Sequence, residues 1–242
     1  MAERTLQQRI RKVSLAVFDW FFPPACLGCG LEGVFICSDC FAKVNLVPNS
    51  VCNLCGGFTS KKGFCPDCSR NKPSYSGFRA FAFYDGVIRK AIQQLKYHND
   101  IGIGDYLAEF LVESYLRTGW QADVVVPIPI GEVKREQRGY NQAGRLAKPV
   151  AENLNLNYCP QALRRIHEVS SQVGLNESER HDNVRNAFMA NSTWIMDKKV
   201  LLIDDVYTSG ATMQAAANEL IIGGAETVWC LALAKVGQNI NI

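Results

Sequence analysis

The sequence contains no apolar run of the roughly 18 residues needed to cross a bilayer; the longest apolar stretches, residues 13–22 and 200–203, fall short. No membrane span is expected. An excess of one charge sign is also missing: 26 Lys and Arg face 23 Asp and Glu, a net of +3. That balance excludes a histone-like polycation and confines any nucleic-acid contact to a local patch. No small-residue cleavage site follows the apolar N-terminal stretch, which Asp19 and Trp20 interrupt, so the chain reads as cytoplasmic rather than secreted. Leu6, Ile10, Val13 and Val17 recur at helical steps and predict an amphipathic helix over residues 1–22. The 242 residues, 48% of them hydrophobic, suffice for one large domain or a large and a small one.

Cysteine is plentiful, and its distribution is the first strong signal. Eight of ten cysteines form four Cys-x-x-Cys pairs, Cys26/Cys29, Cys37/Cys40, Cys52/Cys55 and Cys65/Cys68. The text repeats as CLGCG then CSDC, and CNLCG then CPDC, a duplicated unit. Two such pairs complete the tetrahedral shell of a structural Zn²⁺, so two zinc ions are expected in a double ribbon over residues 23–72. Gly30 and Gly56 follow the second Cys of a pair and suit the tight knuckle turn. Sequential pairing lets each repeat close its own site, although spacing alone leaves a cross-brace open. Disulfides, redox dithiols and an iron–sulfur cluster also use Cys pairs, but four pairs in register exceed what a redox site needs. With eight thiolates and two Zn²⁺, the net charge of +3 becomes about −1. Cys159 and Cys230 stand apart and read as buried core.

A short polar stretch near Pro73 separates this region from residues 75–242. There the pattern alternates: strands at 78–84, 124–128, 200–203 and 227–233, and helices at 87–97, 104–117, 141–154 and 212–222. Such alternation specifies an α/β fold with a parallel sheet covered by helices. Ligands of these sheets bind beyond the carboxyl ends of the strands.

At one such end stands KVLLIDDVYTSGATM, residues 199–213. A buried apolar strand runs into Asp204 and Asp205, followed by the small, hydroxyl-rich turn Thr208, Ser209, Gly210, Ala211 and Thr212. Backbone N–H groups of such a turn and the following helix N-terminus can wrap a phosphate. Two carboxylates beside a phosphate cradle are explained if they accept hydrogen bonds from a sugar's vicinal diol with a divalent cation nearby. Together these features describe a ribose 5-phosphate. A Walker-B-like strand also reads as apolar residues followed by acids, but it requires a phosphate loop ending Gly-Lys-Ser/Thr, and no Gly-Lys dipeptide occurs. A plain strand followed by a hydroxyl-capped helix is the simplest alternative.

A basic stretch after the 124–128 strand holds Lys134, Arg135 and Arg138. On a loop, these could neutralise a pyrophosphate or a nucleic-acid backbone, with Asn141 or Gln142 capping the next helix. Residues 164–188 are polar and irregular, long enough for a flexible loop whose ligand contacts would be Gln172, Arg180 and Asn183. His167, His181 and His98 read as surface residues, while Lys96 and Tyr97 could reach the site from a helix above it.

Residues 200–212 resemble the phosphoribosyl pyrophosphate signature of the type I phosphoribosyltransferases. The resemblance implies that Asp204 and Asp205 hold the ribose hydroxyls as the catalytic acids. It further implies that Val206, Tyr207, Thr208, Ser209, Gly210, Ala211 and Thr212 form the binding segment, with Mg²⁺ accompanying the ligand. Adding the cysteine repeats, LKY at 95–97, RGYNQ at 138–142, Gln172, Glu179, Arg180 and Asn183, the chain resembles the ComF family from Cys26 to Lys235. Ser209 keeps a hydroxyl where a Thr is common. That family combines a double zinc ribbon with a type I phosphoribosyltransferase-like domain. The resemblance implies a role in competence for natural transformation, in handling incoming single-stranded DNA, with a DNA-uptake helicase as partner. The competing expectation is an active phosphoribosyltransferase of nucleotide metabolism or salvage with no direct DNA role, in which an acceptor nitrogen attacks C1 of the ribose and pyrophosphate leaves. In the DNA reading, Tyr140, Phe41, Phe58 and Phe64 offer stacking surfaces.

Overall fold

A computed structural model of the chain describes residues 23–48, 50–57, 59, 63–97, 101–166 and 187–237. The expected N-terminal helix lies outside these residues. The first four-cysteine repeat ends in the short helix α1 (Ser38–Phe41) and the second in α2 (Pro66–Arg70). Proline at the first position of α2 suits a helix start, where its missing N–H costs nothing, and the sulfur of Cys65 accepts the N–H of Cys68. Gly56, with φ +62, turns its knuckle directly against the Phe78 ring, where any Cβ would overlap the ring.

The rest of the chain builds a five-stranded, all-parallel sheet. It comprises β1 (Gly77–Phe83), β2 (Val124–Pro127), β3 (Asn157–Tyr158), β6 (Lys199–Tyr207) and β7 (Thr227–Lys235), in the order β1-β7-β6-β2-β3. A separate antiparallel pair joins β4 (Leu163–Arg165) to β5 (Phe188–Ala190). Helices α3 (Gly86–Tyr97), α4 (Ile101–Leu116) and α6 (Gln142–Leu154) cover one face, and α7 (Ala211–Ile222) covers the other. Central β6 is buried on both faces: Val200 and Leu202 join the α7-side core, Leu201 and Ile203 the opposite one.

The ribbons lie against this sheet. Residues 45–47 run antiparallel to the free edge of β1, with Phe83 N donating to Asn45 O at 2.8 Å and Val47 N to Phe81 O at 3.1 Å. This pairing covers an edge that would otherwise present unpaired backbone groups. Phe41 stacks on Phe110 (centroids 5.4 Å apart) and lies 6.3 Å from Phe81. It is therefore core, which removes it as a stacking surface for nucleic acid.

Three local features differ from the sequence expectations. The strand expected to end at residue 203 continues to Tyr207, because β7 supplies backbone partners as far as Lys235. The basic stretch is not a loop but the helix α5 (Glu132–Arg138), ended by left-handed Gly139 at φ +76. The expected irregular segment begins and ends as β4 and β5; its residues 167–186 lie outside the described residues. These strands are too short for an alternating pattern to reveal them.

Candidate functional site

Each four-cysteine set closes on itself. The ligand atoms of Cys26, Cys29, Cys37 and Cys40 lie within 4.8 Å of one another, as do those of Cys52, Cys55, Cys65 and Cys68. A zinc tetrahedron with 2.3 Å bonds has sulfur–sulfur edges of about 3.8 Å; Cys29 and Cys37 are 3.6 Å apart, and Cys55 and Cys65 3.7 Å. Backbone N–H groups of Cys37 and Cys65 point at Cys26 and Cys52 from 3.3 Å. The Cys37 N–H is the main cause holding the Cys26 thiol down to about 6. Cys40 is instead pushed up to about 12, chiefly by its side-chain contact with Cys37. A central dication removes this conflict among crowded thiolates. The residues present fit two structural zinc ions, paired sequentially.

The second centre is at the carboxyl end of β6. Neighbouring strand residues project to opposite faces, and Asp204 and Asp205 accordingly meet different surroundings. Asp205 is 3% exposed. Its Oδ2 is ion-paired with Lys96 Nζ at 2.7 Å, and its Oδ1 faces Gln142 Nε2 at 3.5 Å. Both partners come from helices on the same face, Lys96 from the last turn of α3 and Gln142 from the first turn of α6. Asp204 is half-buried and accepts the backbone N–H of Asp205 at 2.8 Å. Burial, then the charge of Asp205, pushes its carboxyl well above the usual range.

The turn beyond β6 leaves Thr208 and Ser209 exposed, while Gly210 is buried with φ +83 as the N-cap of α7. A Cβ at Gly210 would run into the Tyr207 ring below it. The Tyr207 side chain does not join the loop. It packs on Phe78 at 4.0 Å between centroids, and its hydroxyl lies 3.3 Å from that of Tyr75. Val206 is half-buried against the α3/α4/α6 side of the core. Of the expected binding segment, Thr208 and Ser209 thus form the exposed turn, Ala211 and Thr212 open α7, and Tyr207 supports the turn from beneath.

On its ribbon side the turn opens onto a cavity of about 920 Å³. Lys72 and Tyr75 form one wall, and Ser209, Gly210, Gln214 and Asn218 the other; neither Asp204 nor Asp205 lines it. Gln214 fixes this wall through two bonds to Ser74, each 3.0 Å.

The basic residues divide. Lys134 and Arg135 are exposed on α5, where they are free to meet an anion. Arg138 turns inward: its guanidinium donates to Gln142 Oε1 at 3.1 Å and lies 5.3 Å from the centroid of the Tyr97 ring. Asn141 caps α6 through Ala143 N and also donates to Ile128 O at 2.9 Å. Tyr140 donates to Leu95 O at 2.7 Å with Arg145 over its ring, so it too is occupied. Phe64, 46% exposed, is reached by Lys72 at 5.9 Å; Phe58 lies outside the described residues. Gln172, Arg180, Asn183, His98, His167 and His181 lie outside them as well. The sequence carried no sign that Gln142 sits beneath Asp205, since a glutamine at a helix start reads as a cap. The stretch at 95–97 lets Lys96 reach toward the site, but nothing in it signals the ion pair with Asp205.

Comparison with known proteins agrees with this architecture. Residues 17–69 match the family described as double zinc ribbon domain, and residues 98–240, more than half of the chain, match the phosphoribosyl transferase domain. Competence protein F of Haemophilus influenzae is 28% identical over 83% of this chain and 90% of its own length. DNA utilization protein YhgH of Escherichia coli K12 is 28% identical over 81% and 89%, and Competence protein ComFC of Bacillus subtilis 26% identical over 78% and 79%. A parallel sheet ending in an acidic pair and a small-residue turn, joined to two four-cysteine sites, agrees with these matches: the chain belongs to the phosphoribosyl transferase domain family, with a double zinc ribbon domain ahead of that domain.

Proposed function

We propose that the chain binds a ribose 5-phosphate ligand, phosphoribosyl pyrophosphate foremost, at the carboxyl end of β6, and that it serves the handling of incoming single-stranded DNA in competence. One observation carries the binding reading: exposed Thr208 and Ser209, separated from the acids by two residues, lead through left-handed Gly210 into the N-terminus of α7. A phosphate on this turn meets backbone N–H groups and the positive end of a twelve-residue helix. Asp204 and Asp205 lie at the strand end where the sugar hydroxyls of that ligand would follow. Mg²⁺ belongs in this reading to the ligand's pyrophosphate, because the acidic pair is a poor cage for a dication. Lys96 holds one oxygen of Asp205, and burial opposes the charge of Asp204.

The DNA role rests on the relatives named for competence and DNA utilization and on exposed Lys134 and Arg135. Pairing with Lys96 lowers the repulsion that the acids would otherwise exert on a DNA phosphate. In this reading the protein works in the cytoplasm beside a DNA-uptake helicase. No helix among the described residues is long and apolar enough to cross a membrane.

Isothermal titration of the zinc-loaded chain with phosphoribosyl pyrophosphate and Mg²⁺, followed by competition with a single-stranded oligonucleotide, tests both parts. Micromolar binding lost in the paired variant Asp204→Asn/Asp205→Asn supports the site; affinity unchanged in that variant rejects it. Displacement by the oligonucleotide places both ligands in one crevice.

A further inference from the structure

Lys96 occupies an unusual place for a lysine, in contact with a buried carboxylate at the end of the central strand. The last turn of α3 is held from three sides. Ile88, Ala91, Ile92 and Leu95 anchor it in the core, the carbonyl of Leu95 accepts Tyr140 Oη at 2.7 Å, and Tyr97 lies under Arg138. The side chain of Lys96 is 21% exposed and that of Asp205 4%, with 2.7 Å between Nζ and Oδ2. Gln142 faces the second oxygen of Asp205 while accepting from Arg138. The carboxylate is thus oriented and compensated by side chains on two helices, before any ligand arrives.

A hard dication needs several oxygens turned toward one point and a local excess of negative charge. Beside Lys96 the two acids have separate surroundings, and the ammonium offsets one of their two charges. That ammonium, 2.7 Å from Oδ2, occupies the side of the carboxylate that a cation would approach, and a second positive charge entering there would be repelled. We propose that Lys96 stands in the place of a divalent cation at the acidic pair, so that the ribose 5-phosphate part of the ligand is held without one. The inference rests on the binding reading above and adds its cation requirement. Lys96 compensates Asp205 against the ligand phosphate and, with Gln142, holds its carboxylate in one orientation; it is a positioning residue.

The probe is ribose 5-phosphate, which has no pyrophosphate to carry Mg²⁺ in. It is titrated calorimetrically into the zinc-loaded full chain, in magnesium-free buffer and in millimolar Mg²⁺. Chelators are left out because they would strip the ribbons. The wild type is expected to bind equally in both buffers. Lys96→Met, which keeps the stem and removes the charge, should bind about tenfold more weakly without Mg²⁺ and recover most of that with it. Lys96→Arg, keeping the charge, should stay independent of Mg²⁺ and serves if Lys96→Met does not fold. A wild type whose affinity rises about tenfold on adding Mg²⁺ overturns the proposal, as does Lys96→Met binding like wild type in magnesium-free buffer. No binding by the wild type in either buffer overturns the ribose-phosphate reading itself, and the cation proposal with it.

Discussion

The hydroxyls of Tyr75 and Tyr207 lie 3.3 Å apart across 132 residues of sequence, joining the segment after the second ribbon to the last residue of the central strand. Tyr207 also packs on Phe78 and lies below Gly210. The second ribbon and the turn after β6 are therefore braced through one buried aromatic pair. Removing either hydroxyl, by Tyr75→Phe or Tyr207→Phe, should cost about 0.5–1.5 kcal/mol in chemical denaturation. Tyr207→Ala should cost about 3–5 kcal/mol and weaken ribose 5-phosphate binding as well. Ligand affinity unchanged in a folded Tyr207→Ala would show that the brace does not reach the turn.

Zinc removal should unfold both knuckles and also destabilise the sheet. Residues 45–47 cover β1, Phe41 packs in the core with Phe110, and Asn53 O accepts Phe78 N at 3.0 Å. Hydrogen exchange after chelation should show loss of protection in residues 26–68 and in β1, with β6 and β2 still protected. Unchanged protection in β1 would mean the ribbons contribute nothing to the edge.

Asp205→Asn leaves Lys96 without its anionic partner in a largely buried setting. A loss of about 1–3 kcal/mol is expected, allowing for the partial exposure of the lysine. Asp205→Asn/Lys96→Met should recover part of it, and the coupling energy from the double-mutant cycle measures the pair. Strict additivity would show that the two residues do not interact.

The Asp204 carboxyl is pushed up in the folded chain, first by burial and then by the charge of Asp205. The folded state therefore holds its proton to higher pH than the unfolded state. This group's contribution is fully present below its unfolded value of about 4 and is lost as pH rises toward the folded one. Asp204→Asn removes that loss, so the variant's Tm relative to wild type should rise with pH. Zinc release at low pH affects both proteins alike, so the difference between their melting curves is the readout. A difference independent of pH would contradict the direction of the shift.

Lys134→Ala/Arg135→Ala should weaken binding to single-stranded DNA and lower its salt dependence by about 0.7 per lost phosphate contact. Arg138→Ala should act differently, lowering stability through Gln142 and Tyr97. An unchanged salt slope for the double variant would remove α5 from the DNA interface.

The eight-cysteine repeat, the alternating strand-helix order and the stretch from residue 199 to 213 were legible because each depends on local periodicity or on fixed ligand spacing. The small ladder formed by β4 and β5 was not, since three-residue strands hold too little pattern, and the basic stretch read as a loop because its helix has no buried residue.

The amino-acid order was enough to specify two sulfur cages, a parallel sheet and a hydroxyl-rich turn after two acids. It did not show that Asp204 and Asp205 would have separate surroundings, that Lys96 would meet Asp205, or that Arg138 would turn inward. Those outcomes depend on which helix packs over which strand end. The energies behind the first two, a buried ion pair and desolvation of a carboxylate, arise between residues about 60 to 110 positions apart, and Arg138 turns toward Tyr97 across 41 positions.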